Sequence, residues 1–126
     1  MRKTNFMICV DVGSIDSIQG GEGTQIKQIF HPHNTMLGIR FSIVKCIIEP
    51  AKKSKKHLLK SAEVYYVTGG SGVLYVGDET CQLKEDQAVY VPPHSEQFVE
   101  NTGSTPLEFL CIVDPAWRKE DEVVTE

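Results

Sequence analysis

The sequence predicts an all-β domain on three observations. Short segments rich in Val, Ile, Tyr and Phe alternate apolar with polar residues, which is the period of β-strands. Glycine and proline clusters separate these segments and act as turns. No segment longer than about ten residues shows the period of a helix. Short strands at regular spacing between such turns are typical of a sandwich or barrel.

The first strand is predicted over Leu37 to Glu49. Its apolar residues keep one parity as far as Ile43 and take the opposite parity from Val44 onward. This change indicates either a β-bulge or a strand that is covered on both faces. The next strands are predicted, in order, over Glu63 to Thr68, Val73 to Val76, Thr80 to Lys84, Ala88 to Val91, Gln97 to Glu100 and Leu107 to Val113.

The turns between these strands have specific chemistry. The run from Gly69 to Gly72 permits a sharp reversal, and Gly77-Asp78 suits a tight hairpin. Pro92-Pro93 ends a strand because proline has no backbone donor for the sheet. We expect helix only as a short piece around Pro115 to Glu122.

Length and charge limit the classes of protein that the chain can form. Its 126 residues, 40% of them apolar, predict one domain with an arm over about 1–36, a barrel over about 37–114 and a tail over about 115–126. A net charge of −4 disfavours nucleic-acid binding. No apolar stretch approaches the roughly 20 residues that cross a bilayer. The sequence therefore predicts a soluble cytoplasmic protein with neither a nucleic-acid nor a membrane partner.

The cysteines are predicted to be buried thiols, because they stand far apart and include no C-x-x-C pair. They are Cys9, Cys46, Cys81 and Cys111. The basic run from Lys52 to Lys56 is either a solvated loop or a segment that attracts an anion.

Histidines are the first candidates for metal ligands or proton carriers. His31-Pro32-His33 has ligand-like spacing, but its proline indicates a loop, so this pair alone is a weak indication of a metal site and its role stays open. His57 precedes Glu63 by an even number of residues, and an extended chain would place both side chains on one face. His94 follows a proline pair and is either a surface residue or a group that reaches the barrel mouth.

Two stretches of the chain resemble the motifs of the cupin family. The first reads PAKKSKKHLLKSAEVYYVTGGSG, where His57 matches the first motif histidine, Glu63 the carboxylate and Gly70 the closing glycine. The second reads EDQAVYVPPHSEQFVENTG, where Pro92 matches the motif proline and Asn101 the asparagine. The resemblance implies a double-stranded β-helix, the cupin jelly-roll barrel.

The chain departs from the family pattern at ligand positions. Leu59 replaces the second motif histidine and Gln97 the third, while Asp86 and His94 stand where glycines are usual. The resemblance thus implies a reduced metal-ligand set of His57, Glu63 and the amide oxygen of Gln97. An amide oxygen is a weaker donor than imidazole, so we expect low affinity for a divalent ion such as Mn, Fe, Zn or Ni.

The runs QIFHPHN and LEFLCIVDPAW extend the resemblance to small single-domain cupins described as similar to mannose-6-phosphate isomerase. On this basis Glu63 and Tyr65 are the candidate catalytic residues. Tyr65 is either a substrate hydrogen-bonder or a barrel-filling aromatic residue. Fold resemblance does not identify a substrate, so the sequence leaves the question of enzymatic activity open.

Two functions follow as hypotheses. The first is a cupin that binds a divalent ion and a small polar, sugar-like or sugar-phosphate molecule, with the ion acting as Lewis acid. The second is a metal-free, non-catalytic cupin that binds a small molecule through hydrogen bonds. We also predict a homodimer, in which the segment from Phe6 to Val10 covers a sheet edge of the partner.

Overall fold

The computed structural model describes residues 7–20, 23–34 and 38–126, and these form two facing antiparallel sheets. Strands β1 to β6 span Ile18–Gln19, Gln25–Phe30, Ser42–Ile48, His57–Leu59, Ala62–Gly69 and Ser71–Val76. Strands β7 to β11 span Glu79–Lys84, Ala88–Val91, Gln97–Asn101, Leu107–Asp114 and Glu122–Val124. Short 3₁₀ turns cover Val12–Ser14 and Lys119–Asp121. The predicted all-β jelly roll is confirmed.

The strand order shows how the chain crosses between sheets. The six-stranded sheet has the order β1-β2-β3-β10-β5-β8, and the five-stranded sheet has the order β11-β4-β9-β6-β7. From β3 onward the chain therefore crosses repeatedly from one layer to the other, which is the arrangement of a jelly roll. No helix among the described residues is long and apolar enough to span a membrane.

Successive side chains along each strand alternate between the inner and the outer face of its sheet. In β10 the buried residues are Leu107, Phe109, Cys111 and Val113, at every second position. They pack with inward residues of the neighbouring and facing strands into one core. Burial of this apolar surface is the main force that holds the two sheets together.

The strand predicted from Leu37 begins only at Ser42, because residues 38–41 form turns and bends. Leu37 itself lies outside the described residues. β3 pairs with β10 in continuous register, but its pairing with β2 has a register irregularity at this point, between Gln28 and Phe30, opposite Val44 and Ile43. The parity change, predicted as a bulge or a strand covered on both faces, thus coincides with an irregularity in β2, while Val44 and Cys46 line the interior and Ile43 is half-buried on the opposite face.

The motif glycine and asparagine shape the turns beside the sheets. Gly70 has φ of +81°, and an added Cβ would lie 2.4 Å from the carbonyl oxygen of Pro106. Asn101 is buried and its Nδ2 donates to the carbonyl oxygens of Ile48, at 2.8 Å, and Thr105, at 2.9 Å. Both residues are therefore explained by backbone geometry.

Both ends of the chain contribute strands. The segment predicted as an arm contains β1 and β2, and β2 pairs with β3. The segment predicted as a tail contains β11, which pairs with β4. Phe6 lies outside the described residues, so the role predicted for Phe6 to Val10 stays a prediction.

Candidate functional site

A cavity of about 180 Å³ lies between the inner faces of the two sheets. Its walls are mainly apolar, with a small number of polar groups, which is the usual character of a small-molecule site. The apolar lining includes Ile26, Val44, Leu59, Phe109 and Val113. The polar lining includes Gln28, Ser42, Ser54, His57, Glu63 and Glu122.

Glu63 is the buried carboxylate of this cavity and points inward from β5. Its Oε1 accepts a hydrogen bond from Nε2 of Gln97 at 2.6 Å, and its Oε2 accepts one from the thiol of Cys111 at 2.8 Å. Burial raises the pKa of Glu63, while the Cys111 thiol, the charge of His57 and the Gln97 amide act in the opposite direction. Burial has the larger effect, so the pKa lies above the usual range of glutamate.

Gln97 joins Glu63 to Tyr65. The hydroxyl of Tyr65 donates to Oε1 of Gln97, and Nε2 of the same amide donates to Glu63. The Tyr65 ring packs against Phe109 with ring centroids 5.0 Å apart. Because both ends of the amide have a partner, its oxygen faces Tyr65 and its nitrogen faces Glu63.

His57 lies opposite Gln97 in the pairing of β4 with β9. The side chain is buried, and Nδ1 lies 2.7 Å from the carbonyl oxygen of Lys55. A carbonyl oxygen only accepts hydrogen bonds, so Nδ1 carries a proton and donates. In the neutral ring the lone pair is then on Nε2, which is the nitrogen that can accept from a ligand or bind a metal ion.

The structure therefore brings His57, Glu63 and Gln97 together, as the sequence predicted, but only His57 and Glu63 line the cavity. Leu59 contributes to the apolar wall. His94 is exposed at φ of 64° and is not part of the cavity lining. The predicted ligand and catalytic roles of these residues stay predictions.

His31 and His33 lie apart from this cavity, in a surface groove beside Trp117. His31 is buried, and its Nε2 lies 2.8 Å from the carbonyl oxygen of Trp117. Its Nδ1 accepts from the backbone N–H of His33 at 3.2 Å. Because both ring nitrogens form hydrogen bonds, His31 links its own loop to the backbone at Trp117.

The donor set does not fit a divalent ion in this arrangement. Across residues 7–20, 23–34 and 38–126, no cluster of three or more His, Cys, Asp or Glu side chains could hold a metal ion. The amide oxygen predicted as the third ligand accepts from Tyr65 instead. Of the three predicted ligands, His57 and Glu63 line the cavity, and both oxygens of Glu63 already accept hydrogen bonds.

Sequence reasoning missed Cys111 as part of the site. It interpreted this residue only as a buried thiol, whereas the thiol donates to Glu63. The available signal was the alternation of β10, which places Cys111 on the inward face. Its nearness to Glu63 depends on the pairing of β10 with β5, which local sequence does not specify.

The fold and the cavity define the class of this molecule, a small jelly-roll barrel with an inward-facing polar cluster. Residues 44–113 match the model of the cupin domain, and the chain belongs to the cupin family. The predicted resemblance is confirmed.

The chain is also similar to several known proteins and, in fold, to solved structures. The chain is 30% identical over 106 residues to an uncharacterised protein of Methanocaldococcus jannaschii, covering 83% of this chain and 84% of that protein. It is 27% identical to a mannose-1-phosphate guanylyltransferase of Salmonella typhimurium, covering 82% of this chain but 22% of the enzyme. Oxalate decarboxylase of Bacillus subtilis superposes with a TM-score of 0.81 at 16% identity, over 98% of this chain and 33% of that one.

Proposed function

We propose that this cupin binds a small, uncharged, hydroxyl-bearing molecule in its cavity without a metal ion. The observation that carries the proposal is the closed hydrogen-bond network of Tyr65, Gln97, Glu63 and Cys111. A network whose donors and acceptors already have partners is stable without a cation. His57 Nε2 and the Glu63 carboxyl group then serve as hydrogen-bonding groups for the ligand.

The charge of the cavity favours an uncharged ligand over a phosphate ester. None of the described residues that line the cavity is Lys or Arg, whereas Glu63 and Glu122 both belong to the lining. A phosphate group there would face carboxylates with no cation to offset the repulsion, at high cost in a buried site. Of the ligands expected from the sequence, the sugar-like one fits this lining better than the sugar phosphate.

The size and shape of the cavity favour a molecule of sugar dimensions. A volume of about 180 Å³ admits a small molecule and excludes a polymer. Apolar walls such as Leu59 and Phe109 can pack against the carbon face of a ring while hydroxyl groups reach His57 and Glu63. The similarity to mannose-1-phosphate guanylyltransferases makes mannose a suitable first probe.

The second candidate is the divalent ion expected from the sequence, which would require His57, Glu63 and their neighbours to leave the present arrangement. Mn, Fe, Zn or Ni would compete with the hydrogen bonds that Glu63 accepts from Gln97 and Cys111. When bound, the ion would supply Lewis-acid chemistry to an oxygen of the ligand. Isomerase activity would in addition need a proton carrier near the ligand, for which Glu63 is the candidate.

The test compares ligands and metals on protein purified without chelator. Metal content is measured first, and thermal shifts are then recorded with mannose, mannose 1-phosphate, mannose 6-phosphate and each divalent ion, with and without EDTA. We expect less than stoichiometric metal and stabilisation by mannose that EDTA does not reduce. Stoichiometric metal that is lost in Glu63→Gln, but retained in the surface control Glu108→Gln, would support the second candidate instead.

A further inference from the structure

A surface groove of about 350 Å³ lies beside the cavity. One of its walls is the turn over residues 31–34, and the other is the segment over residues 117–120. Gln28 and Trp117 line both the groove and the cavity, so the two spaces meet at these side chains. This arrangement offers a ligand of the cavity a second place of contact.

Trp117 is held in place at the boundary between the two spaces. Its backbone N–H donates to Oγ of Ser42 at 3.0 Å, and its carbonyl oxygen accepts from Nε2 of His31 at 2.8 Å. Its indole Nε1 donates to Oε2 of Glu122 at 2.9 Å. Ser42 and Glu122 line the cavity, whereas His31 lines the groove. Hydrogen bonds to both sides therefore fix Trp117 between them.

The walls of the groove are also fixed by hydrogen bonds. In the turn, Oδ1 of Asn34 accepts from the backbone N–H of His31 at 2.8 Å, and the backbone N–H of Asn34 donates to the carbonyl oxygen of His31 at 3.0 Å. In the facing wall, the guanidinium group of Arg118 donates to both carboxylate oxygens of Asp121, each at 2.8 Å. A surface that is ordered before its ligand arrives loses little conformational entropy on binding.

The exposed side chains of the groove combine an aromatic face with polar groups. Trp117 is 37% exposed, and His33, Arg118 and Glu120 are exposed in the same groove. A sugar ring has apolar C–H faces and hydroxyl groups at its edge. An indole ring packs against such a face, while polar side chains such as the imidazole of His33 form hydrogen bonds with the hydroxyl groups. The groove therefore has the composition of a sugar-binding surface.

The charges of the groove favour an uncharged ligand, as those of the cavity do. Nε of Arg118 lies 2.8 Å from a carboxylate oxygen of Asp121 and 3.4 Å from one of Glu120. A guanidinium group with two carboxylate partners has little attraction left for a phosphate or carboxylate ligand. Trp117 is the one large apolar side chain among the described residues that line the groove, so a mainly apolar ligand does not suit it either.

We propose that the groove binds a second sugar unit, so that the ligand of this protein is a disaccharide or another small glycoside. One ring lies in the cavity near His57 and Glu63, and the next ring packs on Trp117 with its hydroxyl groups near His33. This inference rests on the proposed function, because the cavity has to bind the first ring. It makes Trp117 and His33 the residues that determine the length of the ligand.

Calorimetric titration of the full chain with mannose and with each of the α-linked mannobiose isomers tests this proposal. We expect at least one isomer to bind wild type at least about tenfold more tightly than mannose. In Trp117→Ala this advantage should fall below about twofold, whereas Trp117→Phe, which keeps an aromatic ring, should retain most of it. Tyr90→Ala is the matched control, since Tyr90 is an exposed aromatic residue that lines neither the cavity nor the groove.

His33→Ala decides the test if Trp117→Ala does not fold. His33 is exposed and lines only the groove, and the variant keeps the backbone N–H that donates to His31. We expect His33→Ala to reduce the advantage of mannobiose at least about threefold and to leave the affinity for mannose unchanged.

The outcomes separate this inference from the proposed function. If mannose binds and no mannobiose binds more tightly, the second sugar unit is wrong while the cavity keeps its proposed role. An advantage of mannobiose that is the same in wild type, Trp117→Ala and His33→Ala would also overturn the inference. If neither mannose nor any mannobiose binds, the proposed function and this inference are overturned together.

Discussion

Glu63 is the buried carboxyl group that lines the cavity. It is buried, it accepts hydrogen bonds from Gln97 and Cys111, and its pKa is raised by that burial. A carboxyl group in such surroundings holds its proton to higher pH than an exposed one. In the proposed function, Glu63 would donate a hydrogen bond to a ligand oxygen when protonated and accept one when ionised.

The raised pKa of Glu63 predicts a pH dependence of stability. This carboxyl group binds its proton more tightly in the folded chain than in the unfolded chain. Its stabilising contribution to the free energy of unfolding is therefore fully present at pH values below the pKa of the unfolded chain. That contribution is lost as pH rises through the folded pKa. We expect the free energy of unfolding of wild type to fall over this range relative to Glu63→Gln, in urea titrations at a series of pH values.

Glu108→Gln is the matched control for this experiment, because Glu108 lies on the outward face of the same sheet. Its pH profile should follow that of wild type. Parallel profiles of wild type and Glu63→Gln would contradict a raised pKa for the buried carboxyl group.

Gln97→Leu should destabilise the protein by about 2–4 kcal/mol. The substitution keeps a similar volume but removes the partner of the Tyr65 hydroxyl and one donor to Glu63. Urea unfolding measures the loss, with the exposed Gln82→Leu as control. A change below about 0.5 kcal/mol would mean that the network is not formed.

The double variant Leu59→His, Gln97→His should create a metal site with four donors. Leu59 lines the cavity and Gln97 contacts Glu63, so two imidazoles there would join His57 and Glu63. We expect affinity for Zn or Ni to rise by at least about a hundredfold, measured by calorimetry. Equal affinity in wild type and variant would show that these positions do not converge.

At this scale the sequence predicts which residues approach one another better than it predicts what they do. Motif spacing indicated His57, Glu63 and Gln97, and the structure brings them together. Motif spacing could not indicate that the amide oxygen of Gln97 accepts a hydrogen bond from Tyr65, because that contact depends on the side-chain conformations within the barrel. The thiol of Cys111 reaches Glu63 through long-range strand pairing, which no local pattern encodes.

At the scale of elements, the turn between β5 and β6 requires a glycine at position 70. Gly70→Ala should cost about 2–4 kcal/mol, because its φ is +81° and the new Cβ would meet the backbone of Pro106 at 2.4 Å. Gly77→Ala is the control, since Gly77 has φ of +56° with open space around it and should lose about 1 kcal/mol. Thermal and urea unfolding compare the two, and equal losses would contradict the steric explanation.

Strands with strong apolar alternation were predictable, and weakly patterned ones were not. The six strands from β5 to β10 correspond closely to predicted segments, and each contributes inward residues to the core. β2 has partly polar residues at inward positions, such as Gln28 in the cavity lining, which weakens its alternation. β4 and β11 are short, and they exist because they pair with each other across the length of the chain.

At the scale of the whole molecule, the cavity is a product of parts that are distant in sequence. Residues from strands of both sheets line it. They include Ile18 of β1, near one end of the chain, and Trp117 and Glu122 of β11, near the other end. The family resemblance predicted a barrel, but the sequence could not predict which ends of the chain close it. The lack of Lys and Arg among its described lining residues, which favours an uncharged ligand, is likewise a property of the folded chain.

Calorimetric titration of mannose into EDTA-treated wild type and His57→Ala shows whether the cavity binds its ligand without a metal ion. We expect one saturable site in wild type that is independent of added metal and at least about tenfold weaker in His57→Ala, which lacks the imidazole acceptor. Binding that appears only after Mn, Fe, Zn or Ni is restored would contradict a metal-free site.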